Sequence, residues 1–167
     1  MNNYAYIDNQ NLYLATKNAP EPWLVDMKRF RVYLLEKYKV ERAYLFMGAY
    51  EDKYKELYEK YLSFGYELRF RHHSDSIKSQ KKGNVDTDVV FQMMFDSFYE
   101  SEFNKVILAS GDGDYFKTVQ HLLKIDKFEK ILLPSHKNAS SLYKEISDKF
   151  RVYMDNPALI NKLKRKK

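Results

Sequence analysis

Short apolar runs alternate with stretches of helical spacing along most of the chain, and that alternation restricts the possible folds more than any other feature of the sequence. The runs are Tyr4 to Asp8 (YAYID), Ala43 to Gly48 (AYLFMG), Tyr66 to Arg71 (YELRFR), Lys105 to Ser110 (KVILAS) and Lys130 to Pro134 (KILLP), with a shorter one at Phe150 to Met154. Between them, Met27, Phe30, Leu34 and Tyr38 repeat at three and four, as do Tyr54, Leu57, Tyr58, Tyr61 and Leu62, which is the spacing of one-sided helices. Val85 to Phe98 carries a wider apolar band (Val89, Val90, Met93, Met94, Phe98) and predicts a helix packed firmly on a sheet. Further helices are expected from Tyr115 to Lys124 and from Ala139 to Lys149. Strands that alternate with helices in this way form a mainly parallel sheet covered on both faces. The expected fold is therefore α/β, a three-layer α/β/α sandwich with five or six strands.

At 167 residues the chain fits one such domain, which we place at residues 1–156. Five of the last seven residues are Lys or Arg, and without them the net charge of +6 falls to about +1, so 157–167 reads as a basic C-terminal tail. A tail of this kind is either a solvated, frayed end or a source of non-specific attraction to phosphates. One polar stretch, His72 to Gly83 (HHSDSIKSQKKG), breaks the rhythm and reads as a loop. The chain has no cysteine, which excludes disulfides, thiolate metal sites and cysteine nucleophiles. No basic and apolar leader opens the sequence, and no apolar run approaches the roughly 18 residues that span a bilayer, so a cytoplasmic protein without membrane contact is expected.

Four of the 23 acids are not placed like surface charges. Asp8 ends the first apolar run, Asp112 and Asp114 follow the fourth in SGDGD, and Asp86 opens a helix after a glycine-containing loop. Residues just past the carboxyl ends of parallel strands converge on one crevice where the strand order reverses. Gathered carboxylates repel one another, and a hard divalent cation with oxygen preference, Mg²⁺ or Mn²⁺, relieves that repulsion. Gly111 and Gly113 read as a tight turn that leaves room for a phosphate or a water, and Ser110 and Asn11 as supporting polar groups. Capping of helix N-termini is the competing explanation for Asp86 and for Asp114.

In this order and spacing, YAYIDNQNL, KGNVDTDVV and ILASGDGDYFKTV resemble the three motifs of the NYN (LabA-like) family of PIN-like nucleases, over Tyr4 to about Leu142. The resemblance implies a parallel sheet and an acidic pocket that binds divalent metal for phosphodiester cleavage, usually of RNA. It implies metal-binding and catalytic roles for Asp8, Asp86 and Asp112, with Asp114 completing the pocket and Asn11 supporting it. Lys82 and Gly83 match the lead-in to the second motif, and Asp88 a position that is often acidic. Gln92 departs from the pattern, since relatives often carry an acid there, which puts catalytic rate and metal number in question.

The expected function is thus a Mg²⁺- or Mn²⁺-dependent endoribonuclease acting on single-stranded RNA, as a monomer or a homodimer. Arg71, His73, Lys78, Lys81 and Lys82 are the candidates for binding flanking phosphates. The 15 tyrosines are read mainly as core, although exposed ones would stack on unpaired bases, and spacing does not say which. Two alternatives stay open: a non-catalytic RNA-binding or protein-interaction module, which Gln92 favours, and a structure-specific DNA nuclease.

Overall fold

The structure is a computed structural model that describes residues 2–71 and 85–166. Strands β1 (Asn2–Asp8), β2 (Val40–Met47), β3 (Tyr66–Phe70), β4 (Phe103–Ala109), β5 (Phe128–Leu133) and β6 (Arg151–Tyr153) form one sheet. Their order is β3-β2-β1-β4-β5-β6 with every neighbouring pair parallel. The chain winds one way from β1 to β3 and the other way from β4 to β6, so the order reverses between β1 and β4. Register sets Asp8 beside Phe46 and Ile7 beside Ala109, which brings the carboxyl ends of β1, β2 and β4 level.

Side chains of successive strand residues point to opposite faces, and the two faces are filled differently. Ala5, Ile7, Ala43 and Leu45 face α1 (Asn9–Lys17), α2 (Met27–Tyr38), α3 (Lys55–Ser63) and α6 (Pro157–Leu163), in a core that includes Leu12, Phe30, Leu34 and Leu163. Tyr4, Tyr6, Tyr44 and Phe46 face the opposite way, in a core shared with Val89 and Met93 of α4 (Asp86–Tyr99) and Val119 and Leu122 of α5 (Phe116–Lys124). Much of the tyrosine content is therefore core. Tyr6 and Tyr44 have ring centroids 5.2 Å apart, and the Tyr6 hydroxyl donates to buried Asp96 at 2.6 Å. Gln92 donates to the other oxygen of Asp96 at 2.9 Å. A buried carboxylate stripped of a donor bears its desolvation uncompensated, so Tyr6→Phe is expected to destabilise the fold by about 1–3 kcal/mol. A urea unfolding midpoint unchanged from wild type would contradict this.

The strand expectations hold with shifts of a few residues at their ends, and four other segments differ. Helix α1 was not expected, because NQNLYLATK buries only Leu12, Ala15 and Thr16 and shows little apolar periodicity. Ala139 to Lys149 forms two 3₁₀ turns, Ser141–Glu145 and Asp148–Phe150, instead of a helix. Ser140 caps the first turn by accepting from the Leu142 N–H, a local bond that competes with helical pairing. On α4, Phe98 is 81% exposed and so does not join Val89 and Met93 against the sheet.

The chain beyond 156, read as a basic tail, is folded through Arg165. Asn156 caps α6 by accepting from the Ala158 N–H, with Pro157 in the first turn where its missing N–H is harmless. Leu163 is fully buried, Lys164 forms an antiparallel bridge with Val25, and the Arg165 N–H donates to the Leu24 carbonyl at 2.8 Å. Burial of Leu163 and two backbone bonds, the second from the Asp26 N–H to the Leu163 carbonyl at 2.8 Å, hold the segment in place. Among the described residues, no helix is long and apolar enough to cross a membrane.

Candidate metal centre

The acids named from the sequence meet where the strand order reverses. Asp8 is the last residue of β1, is buried, and caps α1 by accepting from the Asn11 N–H at 3.1 Å. The side chain of Asn11 in turn accepts from the Gly111 N–H at 2.9 Å, tying the first turn of α1 to the loop after β4. In that loop, buried Ser110 accepts from the Asp112 N–H at 3.1 Å, and Asp112 accepts from the Asp114 N–H at 2.9 Å, capping a 3₁₀ turn at Gly113–Tyr115. The hydroxyl of Tyr143 donates to the Asp112 carbonyl. Asp86 is the first residue of α4.

Capping therefore falls on different acids from those expected. Asp8 and Asp112 act as caps, whereas Val85 holds the cap position of α4 and Asp114 lies inside its turn. Carboxylate oxygens of Asp86, Asp112 and Asp114 all lie within 4.8 Å of one another. Two oxygens bound to one Mg²⁺ sit at most about 4 Å apart, so small side-chain rotations bring the three onto one ion. The donor set is all oxygen and anionic, which suits Mg²⁺ or Mn²⁺ and excludes a soft-metal site.

Asp8 joins the trio through Tyr115. That hydroxyl lies 3.0 Å from Asp8 Oδ2 and 2.9 Å from Asp86 Oδ1. Burial, then the charges of Asp8 and Asp86, raise the Tyr115 pKa, so the phenol keeps its proton and acts as donor. It has a single proton, however, and satisfies one carboxylate at a time. Burial also raises Asp8, against the opposing pull of the Asn11 N–H and the Tyr115 hydroxyl and with the charge of Asp112. Asp86 is pushed up to about 6 by burial first, then by a hydrogen bond with the Asp114 carboxyl, and further by the charges of Asp112 and Asp8.

The sign of this shift sets a pH dependence. Between about pH 4, the usual carboxyl range, and about 6, the folded metal-free chain retains a proton on Asp86 that the unfolded chain has lost. Its stability consequently falls as pH rises across that window, and the penalty is complete above it. Metal affinity runs the other way and weakens below pH 6, where the proton competes. Melting midpoints measured against pH are expected to drop across this window in EDTA, less steeply in Asp86→Asn, and to recover above it on adding Mn²⁺. An identical slope in Asp86→Asn would contradict the assignment.

The glycines act differently from the expectation of an open turn. Neither Gly111 nor Gly113 has the positive φ that favours glycine. A Cβ on Gly113 would stand 2.7 Å from Ser140 Oγ, and one on Gly111 would stand 3.2 Å from the Ala139 Cα. These residues let the 138–142 segment close against the acid loop, rather than leaving the space for a phosphate.

A cleft of about 470 Å³ opens over the carboxylates, lined by Asp8, Asn11, Asp86, Asp112, Asp114 and Asn138 among others. Asp88 is exposed on α4 and does not line it, and Gln92 turns to Asp96 instead. Arg71 follows β3 at the sheet edge, two strands from β1, and no Lys or Arg among the described residues lines the cleft. His73, Lys78, Lys81 and Lys82 lie outside the described residues. Tyr115, Tyr143 and Asn138 were missed by the sequence reading. Only Tyr115 carried a signal there, its adjacency to SGDGD.

Comparison with known proteins agrees with this fold. The chain is 23% identical to the low amplitude and bright protein LabA of Synechococcus elongatus, over 86% of this chain and 82% of that one. Its fold resembles the crystal structure of a protein of unknown function from Vibrio parahaemolyticus, with a TM-score of 0.75 at 19% identity, covering 97% of this chain and 94% of the other. The family model of the NYN domain matches residues 4–154, a span that contains all of the strands except the first two residues of β1, and all four aspartates. This protein belongs to the NYN domain family, with a PIN-like nuclease-type fold and an acidic cluster fit for a divalent cation.

Proposed function

We propose that the protein is a divalent-metal-dependent endoribonuclease that hydrolyses phosphodiester bonds of single-stranded RNA over the cluster of Asp8, Asp86, Asp112 and Asp114. The observation that carries this reading is the meeting of carboxylates from three separate chain segments at the reversal of strand order, with Asp86 and Asp8 held above the usual carboxyl range. Asp86, Asp112 and Asp114 would hold the Mg²⁺ or Mn²⁺, and Asp8 would close the pocket behind them. When bound, such a cation polarises a phosphoryl oxygen and lowers the pKa of a bound water.

The remaining work falls to the chain itself. Asn11, Ser110 and the Asp112 cap lock the acid loop against α1, so the carboxylates are positioned before substrate arrives. Tyr115 holds Asp8 and Asp86 in a fixed relation and donates its one hydrogen bond to either of them. Exposed Asp114, in contact with Asp86, is placed to orient the attacking water at the mouth of the cleft. Flanking phosphates are assigned to Arg71 and to the basic residues His73, Lys78, Lys81 and Lys82. The enzyme is proposed to act in the cytoplasm as a monomer or homodimer.

The non-catalytic alternative loses its main support, because Gln92 serves Asp96 and does not reach the cleft. Cleavage of labelled single-stranded RNA tests the proposal. Products are expected with Mn²⁺ or Mg²⁺, none with EDTA, and fewer from DNA of the same sequence. Equal cleavage in EDTA would remove the metal from the reading, and preference for DNA would reassign the substrate.

A further inference from the structure

A second cleft, about 1080 Å³ in volume and larger than the acid one, lies on the other flank of α1. Asn11, Leu14 and Asn18 face the acid cleft, while Asn9, Tyr13 and Thr16 face the second, so one helix separates the two. Its floor is apolar, with Leu12, Val25, Met27 and Leu57, and its walls carry Tyr13, Tyr50, Tyr54, Tyr58 and Tyr61. Three of these rings keep close to half their surface open: Tyr13 and Tyr50 at 47% and Tyr54 at 43%. Tyr50 is braced from behind, with its ring 5.2 Å from Tyr58 and 5.3 Å from Phe70. Braced and half-open aromatic faces offer stacking area at little entropic expense.

Cations border the same groove, alongside Asp52 and Glu59 near the Tyr50 hydroxyl. Lys17 lies 5.4 Å from the Tyr13 ring centre. Lys53 lies 5.0 Å from the Tyr54 ring, and Glu51, the acid that lines the groove, is taken up in an ion pair with it at 3.7 Å. Arg165 lines the groove because the Lys164 bridge to Val25 and the bond from its N–H to Leu24 pin the basic terminus there. Arg165 is thus docked at the rim of an aromatic groove, one helix away from the carboxylates.

We infer that this groove is a subsite for single-stranded nucleic acid, in which bases next to the reacting phosphate stack on Tyr13, Tyr50 and Tyr54 while Arg165 and Lys17 pair with the backbone. The inference rests on the nuclease reading for its choice of ligand and adds to it where the flanking nucleotides lie. Aromatic platforms within a positive groove are the general solution for binding unpaired strands. The cations Arg165 and Lys17 favour this occupant over an acid-free apolar peptide, and a position one helix away from the acid cleft favours a ligand long enough to reach both.

Binding of a fluorescein-labelled oligouridylate to the full chain, followed by anisotropy with Ca²⁺ in place of Mn²⁺, provides the test. Tyr13→Ala combined with Tyr50→Ala is expected to weaken binding about tenfold or more, whereas the Phe pair retains affinity. Arg165→Ala should weaken binding and flatten its salt dependence. An oligomer with abasic sugars should bind wild type as weakly as the intact one binds the double alanine variant. Should that variant melt early, Tyr54→Ala gives the same readout from a single half-exposed ring.

Wild-type affinity in the alanine variants, equal binding of the abasic oligomer, or no binding to wild type would overturn the subsite. So would light scattering in which these substitutions dissolve a dimer, since the groove would then belong to a second copy. Cleavage with Mn²⁺, run on the same proteins, separates the two readings. A failed nuclease reading appears as no cleavage by wild type with the binding pattern intact, and a failed subsite as cleavage whose KM the groove variants leave unchanged.

Discussion

Asp112→Asn is expected to lower metal-dependent RNA cleavage by at least about 10²–10³-fold while leaving the fold as stable as wild type or more so. The asparagine keeps an oxygen to accept from the Asp114 N–H, so the 3₁₀ turn retains its cap. Its backbone carbonyl still receives the Tyr143 hydroxyl. What disappears is one negative charge from a group of acids packed within 4.8 Å. Removing like charge relieves the metal-free chain and deprives the cation of a ligand. Opposite movements of activity and melting midpoint, recorded on one preparation, distinguish this from simple unfolding. Cleavage retained at the wild-type rate would show that Asp112 does not hold the reacting metal.

Tyr115→Phe should harm both stability and activity. The hydroxyl is a donor between buried Asp8 and Asp86, at 3.0 and 2.9 Å. Without it Asp8 keeps the Asn11 N–H but loses its contact across the pocket, and a buried group deprived of a partner costs about 1–3 kcal/mol. Metal affinity is expected to fall about 10- to 100-fold, as it does when groups that orient ligands are removed. The stability loss should shrink at low pH, where Asp8, already raised by burial, takes up a proton and needs the donor less. Urea midpoints at neutral and acid pH check this, and a loss of equal size at both would place the effect in packing instead.

How much of the site could be read from the sequence depended on whether a residue's role follows from chain position or from tertiary contact. Asp8 and Asp112 were legible because strand ends converge in a parallel sheet whatever the details of packing. Their cap roles were not, since the sequence hides α1 and the short turn at Gly113–Tyr115 that they begin. Helix α1 was overlooked because polar residues dominate it and only part of one face is buried, although it separates the two clefts.

Tertiary contact decided the other cases. Gln92 was read as a missing acid at the site, yet one helical turn carries it to Asp96 and the tyrosine face of the sheet. The basic end was read as a tail because its charge was conspicuous, while Asn156 and Pro157, an ordinary helix start, were not weighed. Gly113 looked like room for a ligand and proved to be room for Ser140. Tyr115 had only its adjacency to SGDGD as a signal, because nothing in its neighbours says where the hydroxyl points.

Diffraction from crystals soaked in Mn²⁺, recorded at a wavelength where manganese scatters anomalously, tests the central claim most directly. A peak is expected among the carboxylate oxygens of Asp86, Asp112 and Asp114 in the wild type, and none there in Asp112→Asn. Wild-type crystals that bind no manganese at these three acids, or that bind it only elsewhere, would contradict the account.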